Sequence, residues 1–186
     1  MTVNPSGLHG RGAVLKALEQ VEGEWALCAN DLPLETFFRE PAPGRWSPAL
    51  HLRHLTLTHG RVAVGLRTPR PVVRTLFGSP QTARSYQELR EAYRAALAAG
   101  GKAPARYIPR PDPRTGAETR VAVLRDYAQA AQNLRAALER WSESALDAHA
   151  LPHDLLGKIS VREMVFFTLY HDHHHLDGVR ATLGKK

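Results

Sequence analysis

The chain has 186 residues, 43% of them hydrophobic, and 25 lysines and arginines against 18 aspartates and glutamates give it a formal net charge of +7. That length suits a single domain over residues 1–186 with a proper core, and the lack of any long apolar run excludes a transmembrane span. One cysteine excludes an intramolecular disulfide, and the stretch from Met1 to Arg11 lacks the apolar core of a signal peptide, so the expected compartment is the cytoplasm.

The first helix is expected from about Gly12 to Asn30, where Val14, Leu18, Val21, Trp25 and Cys28 recur every three or four residues as a bundle seam. Cys28 belongs to that seam and reads as a small buried hydrophobe rather than a nucleophile. Prolines at 33, 41 and 43 break the helix. A second helix opens at Ser47-Pro48, a natural N-cap followed by a proline in the first turn, and runs to about Leu66. It carries one apolar face with Leu52, Leu55, Val62 and Leu66, and a second with Leu50, His54, Leu57 and Val64. The pattern predicts burial on both sides, with His54 looking inward, His51 flanking the first face and His59 lying within it.

From Arg67 to Arg84 the prolines and Gly78 predict a connection with at most a short helical turn around Val73–Phe77. Ser85-Tyr86-Gln87-Glu88 is a capping box for a short helix that Gly100-Gly101 closes. Four prolines between Lys102 and Gly116 then require extended chain. These connections concentrate positive charge, and connections this long in a compact domain are often functional. Thr115-Gly116-Ala117-Glu118 reads as another cap, opening a helix with Leu124, Tyr127, Ala131, Leu134, Leu138 and Trp141 on one seam. His149–Lys158 is a connector, and Ser160-Val161-Arg162-Glu163 is a capping box for the last helix. No stretch alternates like a strand. The expected fold is all-α: an antiparallel four-helix bundle with one additional short helix and long loops between the second and third long helices.

The last helix contains His171-Asp172-His173-His174-His175. Residues four apart on a helix are stacked neighbours, so His171 and His175 form a pair at the edge of the apolar stripe, whereas His173 and His174 point elsewhere. Neutral imidazole is a good donor to divalent metals, but two ligands are rarely enough. A third must come from another element, and a solvated histidine-rich helix end is the plain alternative.

Trp46-Ser47 followed by His54-Leu55, the segment Leu155–Ser160, and the late Tyr170-His171-x-x-x-His175-Leu176 together resemble the DinB-like superfamily of metal-binding four-helix bundles. The resemblance implies that His54, His171 and His175 bind one divalent ion, with zinc or nickel ahead of iron or manganese, and that His51, His59, His173 and His174 do not. Family members often have glutamine three residues after the last histidine; here that position is Gly178. The resemblance also implies a thiol-dependent S-transferase with a bacillithiol- or mycothiol-type cosubstrate and an electrophilic substrate, assembled as a homodimer. Asp172 is a candidate to orient a ligand imidazole. Arg67, Arg70, Arg74, Arg106 and Arg110, flanking the long connections, are candidates to hold carboxylates of the thiol or substrate. No residue stands out as a general base.

Three readings stand beside this one. A metal-dependent hydrolase would use the same site with water as nucleophile. A nucleic-acid-binding stress protein would use the +7 charge, but no helix-turn-helix, zinc-finger or RNA-binding signature is present and the aromatics fall on core seams. A purely structural metal would need no catalysis.

Overall fold

The computed structural model describes residues 8, 10–102, 104–110 and 112–184. The N-terminal reading therefore lies largely outside the described residues, as does Pro111 of the extended connection. Four long helices carry the fold: α1 (Arg11–Asn30), α3 (Pro48–Arg67), α6 (Ala117–Leu138) and α8 (Val161–Thr182). Between them lie the short helices α2 (Leu34–Phe38), α4 (Arg70–Phe77), α5 (Tyr86–Ala98) and α7 (Glu143–Ala148).

The local signals act as the sequence suggests at three helix starts. Ser47 Oγ accepts from the amide of Leu50, with Pro48 at the first helical position. Ser85–Glu88 and Ser160–Glu163 both form reciprocal capping boxes. Glu163 does more than cap. Its carboxylate is fully buried and also receives the hydroxyl of Thr82 and the guanidinium of Arg84, whose Nε lies 2.6 Å away. The start of α8 is thereby tied to the chain ahead of α5. The expected cap at residue 115 does not form: α6 begins after Gly116 with no side-chain cap.

The bundle is a four-helix bundle in which α1 and α3 are diagonal, each packing against both α6 and α8. The long connection lets α3 and α6 run in the same direction. Arg53 near the start of α3 pairs with Asp112 just before α6. At the other end the Trp141 indole donates to the carbonyl of Leu66 at 2.9 Å. Trp25, Leu52, Leu55, Leu134, Leu138, Leu169 and Leu176 fill the centre with essentially no exposure.

Several expectations need correction. The connector from His149 contains a two-stranded antiparallel hairpin, β1 (Ala150–His153) and β2 (Gly157–Ser160), with Leu151 opposite Ile159 and His153 opposite Gly157. Four-residue strands, one containing a proline, are too short to show a period of two. Gly157 turns the hairpin at φ 73°, a conformation that favours glycine. The arginine-rich connection after α3 is a full two-turn helix, α4, and α6 ends at Leu138 rather than Trp141. Cys28 is half-buried at the edge of the core. The second face of α3 is covered only in part: His54 is buried as expected, but Leu57 is 41% and Val64 60% exposed. Val64 instead lines a cavity, into which His54 also looks.

Candidate metal centre

His54 projects from the second turn of α3, and His171 and His175 from one face of α8. Nε2 of His54 lies 3.2 Å from Nε2 of His171, which lies 3.0 Å from Nε2 of His175. One ring nitrogen from each of the three falls within 4.8 Å of the others. His54 is 2% and His171 5% exposed, and His175 is half-buried.

The proton inventory of this cluster is unusual. Burial lowers the pKa of all three rings, against the hydrogen bond at Tyr107 in the case of His54, and the neighbouring imidazoles push His171 and His175 further down. The rings are therefore neutral at pH 7, with one N–H each. Nδ1 of His54 faces the carbonyl of Tyr107 at 2.7 Å. A carbonyl only accepts, so the proton sits on Nδ1 and Nε2 is bare. His171 and His175 cannot both direct an N–H at each other across 3.0 Å. At least two of the three converging nitrogens thus present lone pairs to one point, an arrangement that a cation relieves. Ligand nitrogens about 2.0–2.1 Å from a tetrahedral ion lie roughly 3.3–3.4 Å apart, close to the spacings here. The donor set fits a divalent metal site.

Further partners fix these rings. Nδ1 of His175 lies 2.8 Å from Nδ1 of His51. Trp46 stacks on His175 with an interplanar angle of 13° and centroids 6.1 Å apart, and its centroid is 5.0 Å from that of His54. Phe167 stacks on His171 at 4.9 Å. Sequence reasoning excluded His51 as a ligand but missed its contact, although a residue three positions before His54 shares its helix face. Tyr107, whose carbonyl orients His54, belongs to a single 3₁₀ turn, Ala105–Tyr107, that no sequence signal marks.

Asp172 is fully buried but does not reach the three converging imidazoles. It accepts instead from Nε2 of His59 at 2.9 Å and from the Tyr127 hydroxyl at 3.1 Å. One residue of helix rotation, about 100°, separates Asp172 from His171, so the carboxylate enters the bundle between α3 and α6. Burial, reinforced by this carboxylate, raises the Tyr127 pKa. His173 bonds back to the carbonyl of Leu169 on its own helix. His174 stands over Tyr170 on the outer side of α8.

A cavity of about 340 Å³ adjoins the cluster. His54 and His171 form part of its wall, with Val62, Leu151, Met164 and Phe167 as apolar lining. α3 and β1 approach closely here: a Cβ on Gly65 would lie 3.3 Å from the Leu151 methyls. None of the five loop arginines lines this cavity. Arg67 and Arg74 donate to the carbonyls of Asn133 and Ala148. Arg70 donates to the Arg140 carbonyl and covers the Trp141 ring at 5.3 Å. Arg106 pairs with Asp154. Arg110 is exposed in a shallow depression between α3 and α6. The carbonyl of Ala148 ends α7 and that of Arg140 lies just past the end of α6, where the backbone carries excess negative charge and attracts cations. The cations that do line the cavity are Arg61 and Lys102.

Among the described residues no helix is long and apolar enough to cross a membrane. The crystal structure of TT2238, a four-helix bundle protein, resembles this chain with a TM-score of 0.58 and 17% identity, covering 92% of this chain and 99% of that one. Identity at that level speaks for the fold alone. No curated protein matches. The sequence profile of the DinB superfamily matches residues 17–177, a span that runs from α1 into α8 and contains all three converging histidines, and the chain belongs to that superfamily.

Proposed function

We propose that His54, His171 and His175 hold one divalent ion, zinc or nickel ahead of iron or manganese, and that the protein is a thiol-dependent S-transferase acting in the adjoining cavity. The observation that carries this reading is the convergence of the three Nε2 atoms, with at most one proton among them, where His54 and His171 form part of the wall of an apolar cavity. A divalent ion bound there supplies positive charge that lowers the pKa of a thiol or water near it. The chain's own contribution is positional. The Tyr107 carbonyl holds His54 in the tautomer with a free Nε2, Trp46 and Phe167 fix ring planes by stacking, and the apolar wall excludes water from an electrophile.

Thiol rather than water is favoured as nucleophile by the shortage of bases. Asp154 is the sole carboxylate among the cavity-lining residues described, and Arg106 engages it. A thiol, with an ordinary pKa of about 8.5, needs less help to ionise than water does.

The test is turnover. Protein reconstituted with zinc, nickel, iron or manganese is offered bacillithiol, mycothiol, glutathione and cysteine with epoxide and alkyl-halide electrophiles. Thiol consumption that depends on the metal is the expected result. Ester or amide hydrolysis without thiol dependence would replace the transferase with a hydrolase. No metal-dependent turnover of either kind would leave a structural or binding site.

A further inference from the structure

His153, at the end of β1, also lines the cavity, and its ring is held in one protonation pattern by the hairpin turn. The amides of Leu155 and Leu156 both point at its Nδ1, each at 3.1 Å. Two donors facing one nitrogen require a lone pair there, so the single proton of the neutral ring sits on Nε2. Burial depresses the pKa to about 4, with Asp154 opposing and Arg84 adding to the shift, so the ring is neutral at pH 7. Phe167 packs edge-on at 4.2 Å and Tyr93 at 5.9 Å, which fixes the ring plane. Nε2 makes no hydrogen bond among the described residues, nor is it one of the fully buried polar atoms left without a partner. An orientated N–H without a hydrogen-bond partner among the described residues therefore remains on a ring that lines a mostly apolar cavity.

The same cavity is short of negative charge. Arg61 and Lys102 line it and make no hydrogen bond or ion pair among the described residues, whereas Asp154 is neutralised by Arg106. A fixed neutral donor, two uncommitted cations and an apolar body together describe a ligand with one anionic, oxygen-bearing end.

We propose that the cavity binds a small carboxylic acid with an apolar body, a carboxylate oxygen accepting from Nε2–H of His153 while Arg61 and Lys102 face its charge. This rests on the proposed function for its place in catalysis, where it names the substrate class. His153 is then a positioning residue, aligning the acid beside His54 and His171 without touching the reacting atoms.

The experiment uses metal-free protein and reads binding alone, so its outcome is separate from that of metal loading or turnover. The probes are 4-phenylbutyrate and 4-phenyl-1-butanol, which share an apolar body and differ in the charged end. Calorimetry is expected to show the acid binding more tightly than the alcohol. His153→Phe, which keeps a ring against Phe167 but removes the N–H, should weaken the acid roughly tenfold to hundredfold and leave the alcohol little changed, the scale of a hydrogen bond to a charged group. Arg61→Gln should weaken the acid and flatten its salt dependence. In the unmodified protein, ¹⁵N spectra of the histidines should show His153 protonated at Nε2, with that resonance shifting when the acid is added. A proton on Nδ1, equal binding of the two probes, no binding of either, or a His153→Phe variant with unchanged acid affinity would each overturn the proposal.

Discussion

Nδ1 of His51 and Nδ1 of His175 face each other at 2.8 Å, so one of the two rings donates to the other. If Nε2 of His175 is a metal ligand, its proton resides on Nδ1 and His51 is the acceptor. Burial favours that role by holding the His51 ring neutral, with a pKa near 4. Such outer partners fix the ligand's tautomer and ring plane, and their loss typically costs about 10–100-fold in metal affinity. His51→Phe keeps a ring beside Trp46 and should weaken zinc binding within that range by competition titration. Unchanged affinity would mean that His175 is orientated without it, and complete loss would make His51 a ligand.

His175→Ala should remove most metal binding while helix content stays nearly constant, because the apolar seams of α1, α3, α6 and α8 hold the bundle. Circular dichroism of the unmodified protein before and after chelation checks the same point. A collapse of helicity on chelation would assign the metal a structural role.

The buried Glu163 carboxylate predicts an acid-sensitive link between α8 and the chain ahead of α5. Burial pushes its pKa up, but hydrogen bonds from Arg84, the Ser160 amide and Thr82 outweigh that, and the net shift is downward. A depressed carboxylate contributes stability fully above its ordinary value near 4.5, and that contribution is lost as pH falls through the lower folded-state value. Glu163→Gln should lower the melting temperature at pH 7 by roughly 5–10 °C, since it leaves Arg84 without its anionic partner. The gap between variant and parent should narrow as pH is taken below the carboxylate range. A constant gap across pH 3–7 would show that charge is not what Glu163 contributes.

The loop arginines separate stability from ligand binding. Arg70 sits over Trp141 and donates to a carbonyl that follows α6, so Arg70→Ala should cost about 1 kcal/mol of stability. It should leave the apparent KM for a carboxylate-bearing substrate unchanged. Arg61→Ala, at the cavity, should do the reverse. A KM effect at Arg70 without loss of stability would return the anion site to the loop arginines. With Arg67, Arg70 and Arg74 committed to backbone carbonyls and Arg106 to Asp154, oligonucleotides at near-physiological salt should bind neither variant nor parent appreciably.

Local chemistry alone determined the helix starts at Ser47, Ser85 and Ser160, because a cap is written within four consecutive residues. It also set His171 and His175 on one face of α8, since helical spacing is a property of the element itself. The resemblance carried by Trp46-Ser47 and His54-Leu55 pointed to His54 as their partner, but whether α3 and α8 face each other is a matter of packing. Tertiary structure decided that, and it decided the destinations of charges that sequence leaves open. Asp172 went to His59 and Tyr127 because one step along a helix turns a side chain by about 100°. Arg67, Arg70 and Arg74 went to backbone carbonyls because long side chains seek the nearest unpaired acceptors, wherever the fold brings them. His153 was unreadable in advance: its tautomer depends on a turn closed by Gly157, in a hairpin whose strands are too short to leave a pattern.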